Sequence, residues 1–141
     1  MDSIFIKIIN REVPATIVYE DELVVAFLDA SPVHPGHTLV VPKEPFVNMF
    51  DGDPETLAHM VKVAQRLAQA LQVVVKADGI NLHMNNGAAA GQEVFHAHMH
   101  VVPRYEGDKS YQKPRKQSYD DTGVDAQALG AQLSAQLAGT E

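Results

Sequence analysis

The chain has 141 residues, 45% of them hydrophobic, which suits one compact domain with a real core and argues against extensive disorder. Its 18 acidic and 11 basic residues leave a formal charge of -7, unlike the basic face of a phosphate-reading nucleic-acid binder. With no cysteine there is neither a disulfide nor a thiolate metal site, and no apolar run approaches the length of a membrane span.

The first ten residues lack the basic start and long apolar run of a signal peptide, so a cytoplasmic protein is expected, with neither membrane nor nucleic acid as partner. Residues 15–19 and 23–28 are rich in β-branched and apolar side chains and flank Glu20-Asp21-Glu22, which reads as a hairpin. Two prolines and a glycine make residues 31–36 a loop, and residues 37–41 form the next strand, closed by Pro42. Asp53-Pro54 is a helix start, with Asp53 as N-cap. Leu57, Met60, Val61, Ala64, Leu67, Ala68 and Leu71 follow at three- and four-residue steps, a core-facing stripe expected to run to about Lys76 and stop at Asp78-Gly79. Part of that helix is free to face a second subunit.

Ile80, Leu82 and Met84 alternate with Asn81, His83 and Asn85, the pattern of a half-buried strand. Residues 86–91 make a loop of small side chains that permits close backbone approach. Residues 94–103 read as the last strand. The remainder, from Tyr105, is polar and irregular, with a weak helix expected over residues 126–137. The cations Lys109, Lys113, Arg115 and Lys116 share that segment with acids, so they read as a solvated loop rather than a binding patch.

His96, His98 and His100 alternate with Phe95, Ala97, Met99 and Val101. In a strand, successive side chains point to opposite faces, so the three imidazoles project together. Such an array is costly unless it serves a task, because charging all three is repulsive and burying them neutral demands partners. It suits a transition metal, or a phosphoryl group that one nitrogen attacks while others donate to oxygens. A purely structural role is the bland alternative. The approach, Asn85-Asn86-Gly87 through Gly91-Gln92-Glu93-Val94-Phe95, supplies close-approach backbone and amide donors and favours the phosphoryl use. Upstream, Asp29 and His37 add a carboxylate, suited to a vicinal diol, and a further imidazole.

His96-Ala97-His98-Met99-His100-Val101-Val102, with Ser3-Ile4-Phe5, Phe27-Leu28-Asp29, Pro35-Gly36-His37, Gly91-Gln92 and Pro103-Arg104 in order, resembles the histidine-triad (HIT) family, nucleoside-phosphoramidase branch. The resemblance covers residues 3–104. It implies an α+β fold, an antiparallel sheet of about five strands crossed by the residue 53–76 helix, and a homodimer with a continuous sheet. The HIT domain would occupy residues 1–104 and a C-terminal extension residues 105–141.

Carried over by resemblance, His98 is the nucleophile that forms a nucleotidyl-imidazole, and His96 and His100 hydrogen-bond phosphate oxygens and manage protons. His37 supports them. Asp29 accepts from the ribose hydroxyls, Asn85 and Gln92 and the backbone at Val94 contact phosphate, and Phe5, Ile8, Phe27, Leu28, Ala30 and Leu39 line a purine pocket. The substrate would be a purine nucleoside phosphoramidate or related adenylate, hydrolysed without a cofactor to a nucleoside monophosphate. The alternatives are a dinucleoside polyphosphate hydrolase, a nucleotide-binding module with little turnover, and a metal-binding protein.

Two departures from the family pattern stand out. Where many relatives carry two cysteines and a histidine around a zinc ion, this chain has Ser3, Ile6 and Pro45, so no structural zinc is expected. Glu93 stands where relatives have a serine or threonine donor. Its carboxylate cannot donate when ionised, so it either turns outward or meets a cationic leaving group. His34, His59 and His83 have no motif support and read as surface or core-edge residues.

Overall fold

The computed structural model describes residues 3–109 and 117–139. Lys113, Arg115 and Lys116 of the expected cationic loop lie outside them. A short helix α1 (Ile4–Ile9) precedes strands β1 (Ile17–Glu20), β2 (Val24–Leu28) and β3 (Thr38–Pro42). Helix α2 (Pro54–Val74), strands β4 (Gly79–His83) and β5 (Met99–Arg104), and helices α3 (Tyr119–Thr122) and α4 (Ala126–Ala138) complete the chain. The five strands form one antiparallel sheet in the order β1-β2-β3-β5-β4. No helix of the described residues is long and apolar enough to cross a membrane.

The sheet is buried on both faces at its centre, which is why β2 and β3 read as continuous apolar runs. Val24, Ala26, Leu28 and Val40 pack against Met60, Val63, Ala64 and Leu67 of α2. The alternate side chains, Val25, Phe27, Leu39 and Val41, turn the other way and are covered by Phe5 and Ile8 of α1. This second face carries the site, because Leu39 pairs with His100 across β3 and β5.

Asp53 caps α2 by accepting from the Glu55 N–H at 3.0 Å, with Pro54 at the first helical position. The stripe is rotated slightly from the one read in the sequence: Val63 and Ala70 are buried, while Val61 is 46% exposed. Nor does Gly79 end the helix. Lys76 takes the left-handed turn at φ 56°, and Gly79 already belongs to β4. The sheet must begin there to pair with Arg104, so the turn comes earlier. Gly36 does require its residue type: its φ is 101°, and a Cβ would fall 2.7 Å from Leu71 Cδ2.

Two features were not legible. Residues 4–9 form a helix, capped by Ser3, whose Oγ accepts from the Ile6 N–H at 3.2 Å. The C-terminal helix α4 is not a weak appendage. Asp125 caps it, Leu129, Leu133 and Leu137 are buried in the α2 core, and Arg66 donates to the Leu137 carbonyl at 3.0 Å. Leu133→Ala should therefore cost about 2–5 kcal/mol, as for a core leucine. A urea titration giving a loss near zero would show that α4 is dispensable to the fold.

Candidate active site

The strand expected over residues 94–103 is shorter: β5 starts at Met99, and the chain bends at residues 94–96. Only His100 of the triad lies in regular strand. The bend is held by the Ala97 N–H, which donates to the Phe46 carbonyl at 2.8 Å. The imidazoles still share one side. Phe5 presents its ring edge to His96 and His98, at 5.7 and 4.9 Å between centroids, and His98 lies 5.1 Å from His100.

The tautomers follow from the partners, because a carbonyl can only accept and a backbone N–H can only donate. His98 Nδ1 lies 2.8 Å from the His96 carbonyl, so Nδ1 carries the proton and Nε2 keeps a lone pair. The Val33 N–H donates to His37 Nδ1 at 3.0 Å, placing the His37 proton on Nε2. From there it is donated to His100 Nδ1 at 2.9 Å, leaving His100 with a donor Nε2–H. One bare nitrogen and one N–H are the pair that nucleophilic attack on a phosphate ester needs.

His96 departs from its expected role. It is 1% exposed, its Nε2–H donates to the Pro42 carbonyl at 2.9 Å, and its Nδ1 accepts from Ser3 Oγ at 2.9 Å. Neither nitrogen remains to meet a phosphate oxygen. Gln92 departs likewise: it is buried, with its amide nitrogen donating to the Val47 and Val94 carbonyls and its oxygen accepting from Gly87 and Asn48. It ties two loops together. Asn85 is half-buried and donates to the Gly91 carbonyl at 3.4 Å.

Beside the triad lies a cavity of about 560 Å³, lined by all six residues expected at the purine pocket, Phe5, Ile8, Phe27, Leu28, Ala30 and Leu39, and by Asp29. Phe5 and Phe27 stand 5.6 Å apart at 59°. Asp29 Oδ1 accepts from the Ser31 N–H at 2.9 Å, and Oδ2 lies 3.5 Å from His37 Nε2. Burial raises the Asp29 carboxyl above its ordinary range. Val94 and Glu93 sit elsewhere, on a separate groove with Ser3, Ile6, Pro45 and His96, and Glu93 is exposed. In that groove the only imidazole is already held at both nitrogens, so the donor set does not fit zinc. Among the described residues, Asp29, His37 and His100 bring one donor each within 4.8 Å, but a metal there would break the His37–His100 hydrogen bond.

His83, read as a surface or core-edge residue, is half-buried on the edge strand β4, and it also reaches the triad. It pairs with His100 across β4 and β5 and stacks on it at 4.5 Å and 12°. Its place is set by strand pairing, which the local sequence does not announce. His34 and His59 do lie outside the site, paired with Asp108 and Asp21. Ser3, Tyr119 and Gln127 were also missed.

Burial, followed by neighbouring histidines, depresses both His37 and His100 to about 3, so both are neutral at physiological pH. An unfolded chain protonates these groups nearer 6.5, so it binds more protons than the folded chain between those values. Their contribution to stability is whole above that window and is lost as pH falls through it. The urea midpoint should drop between about pH 7.5 and about pH 5, with a shallower drop in His100→Asn. Equal slopes in the two proteins would contradict this.

Residues 10–107 match the HIT domain family. A zinc-bound histidine triad family protein of Mycobacterium smegmatis superposes with a TM-score of 0.87 at 42% identity, over 99% of this chain and 96% of that one. A hypothetical histidine triad nucleotide-binding protein of Sulfolobus tokodaii gives a TM-score of 0.82 at 38% identity, over 96% and 92%. An adenylylsulfatase of Arabidopsis thaliana is 38% identical over 107 residues, 76% of this chain and 54% of that protein. With residues 10–107 matched and the fold shared at these identities, the chain belongs to the histidine-triad (HIT) family.

Proposed function

We propose that the protein hydrolyses purine nucleoside phosphoramidates or related adenylates at the α-phosphate through a covalent nucleotidyl-His98. The observation that carries this reading is the bare Nε2 of His98, its other nitrogen held by the His96 carbonyl. The lone pair attacks phosphorus, the P–N bond to the amine or the P–O bond to the carboxylate breaks, and a departing amine takes its proton from solvent. The imidazolium that develops keeps its Nδ1–H on a carbonyl, while the His100 Nε2–H meets a phosphate oxygen. Water then attacks phosphorus and gives up a proton to solvent as the P–N bond to His98 breaks, releasing the nucleoside monophosphate and neutral His98. Asp29 would hold the ribose and Phe5 and Phe27 the base. His96 acts here as a positioning residue, and Glu93 faces solvent rather than the leaving group.

The adenylylsulfatase relative supports an adenylate substrate. Rapid release of AMP from an adenosine phosphoramidate, but not from diadenosine polyphosphates, would support the phosphoramidase branch over the polyphosphate one. A homodimer is part of the same proposal. β4 is an edge strand, and its Leu82, sharing a groove with Val61 of α2, leaves an apolar surface suited to a second copy.

His98→Ala should abolish turnover while nucleotide affinity stays within about tenfold, because the nucleophile is lost and the pocket is not. Turnover near that of the parent would sink the assignment. Asp29→Asn should weaken ribonucleotide binding by about 1.5–3 kcal/mol, and 2′-deoxynucleotide binding by less, since a carboxylate can accept from both hydroxyls. Titration calorimetry with equal losses for the two sugars would show that Asp29 does not read the ribose.

A further inference from the structure

The cavity beside the triad is finished by the end of the chain. Tyr119, Ala126 and Gln127 form part of its lining, next to Thr16. Three contacts hold that segment in place. The Gly36 N–H, one residue before His37, donates to Tyr119 Oη at 3.1 Å. Gly130 of α4 lies so close to the β1 approach that a Cβ would fall 2.2 Å from Thr16 Cγ2. Glycine inside a helix weakens it relative to alanine, and here it permits the close approach. One turn before it, Gln127 Nε2 donates to Thr16 Oγ1 at 3.0 Å. Thr16 is itself fixed beside the pocket, because the Leu28 N–H donates to its carbonyl at 3.0 Å.

The lining is otherwise apolar. Its polar side chains are Asp29, Tyr119, Thr16 and Gln127. Asp29 lies beside His37, and burial, with the Asp29 carboxylate adding to it, raises the Tyr119 phenol. A nucleoside with its ribose on Asp29 and its base against Phe5 and Phe27 is therefore left with Thr16 and Gln127 as the polar pair for the base edge. The Gln127 nitrogen is turned to Thr16, which leaves Oε1 as the acceptor. An acceptor suits the exocyclic amino group of adenine and opposes the carbonyl that hypoxanthine carries at the same position.

We propose that Gln127, braced by Thr16 and by the close seat of α4 at Gly130, reads the base and favours adenine over hypoxanthine. The proposal rests on the nucleotide reading of the cavity given above, and the two can fail separately. AMP and IMP, together with 2′-deoxy-AMP, are titrated calorimetrically into the full chain and into Gln127→Ala. Gln127 is exposed on its helix, so the alanine is compatible with folding, and an unchanged melting temperature verifies it. The expected result is tighter binding of AMP than IMP, with a ratio of about two- to tenfold that collapses toward one in the variant. The ratio of AMP to 2′-deoxy-AMP, which reports on Asp29, should stay where it was. Gly130→Ala, which unseats α4 and so displaces Gln127 while keeping its side chain, should lower the AMP to IMP ratio in the same direction. An AMP to IMP ratio of one in the parent, a preference for IMP, or a ratio unmoved in Gln127→Ala would overturn the inference while leaving the nucleotide reading standing. Failure of every nucleotide to bind the parent would overturn both.

Discussion

An imidazole can attack phosphorus only if one nitrogen is bare and the ring is held with that nitrogen forward. The hydrogen bond from His98 Nδ1 to the His96 carbonyl meets both conditions, and much of the site exists to keep that carbonyl in place. The bend at residues 94–96 turns it toward its own chain, the Ala97 N–H is anchored on Phe46, and His96 is pinned between Pro42 and Ser3. A regular strand would have sent that carbonyl into the sheet ladder. The departure from strand geometry is thus what lets neighbouring histidines take different chemical roles.

The second requirement is that the surrounding imidazoles remain neutral. Burial achieves this for His37, His96 and His100, each held below the ordinary histidine range. Buried neutral rings are tolerable only when their nitrogens are satisfied, and among the described residues no buried side-chain nitrogen or oxygen lacks a partner. The same hydrogen bonds that meet this cost also fix each tautomer. Stability and chemistry are therefore linked through one network, beginning at the Val33 N–H and ending at the His100 Nε2–H.

The sheet separates these tasks from the core. α2 buries one face and provides most of the apolar packing, so the other face can be left partly open between α1 and the C-terminal segment. Period-two alternation in β2 and β3 supplies both faces from the same few residues. α1 is too short to stand alone, and its cap residue Ser3 joins it to His96, tying the roof of the cavity to the triad.

The triad, the hairpin and the long helix with its Asp53 cap are each announced along the chain by a local pattern or a fixed spacing. The pocket residues were legible only through the resemblance to the histidine-triad family, because no local pattern marks them. What depends on partners distant in the chain was settled by the fold. His96 and Gln92 are turned from ligand contact to scaffold by Ser3, Pro42 and Val47, none of them sequence neighbours. His83 joins the site because β4 pairs with β5, and Gln127 joins it because Gly130 lets α4 come close to Thr16. Spacing along a chain shows which side chains can share a face. Which of their donors and acceptors stay free for a ligand depends on what folds against them, and that information lies outside the motif.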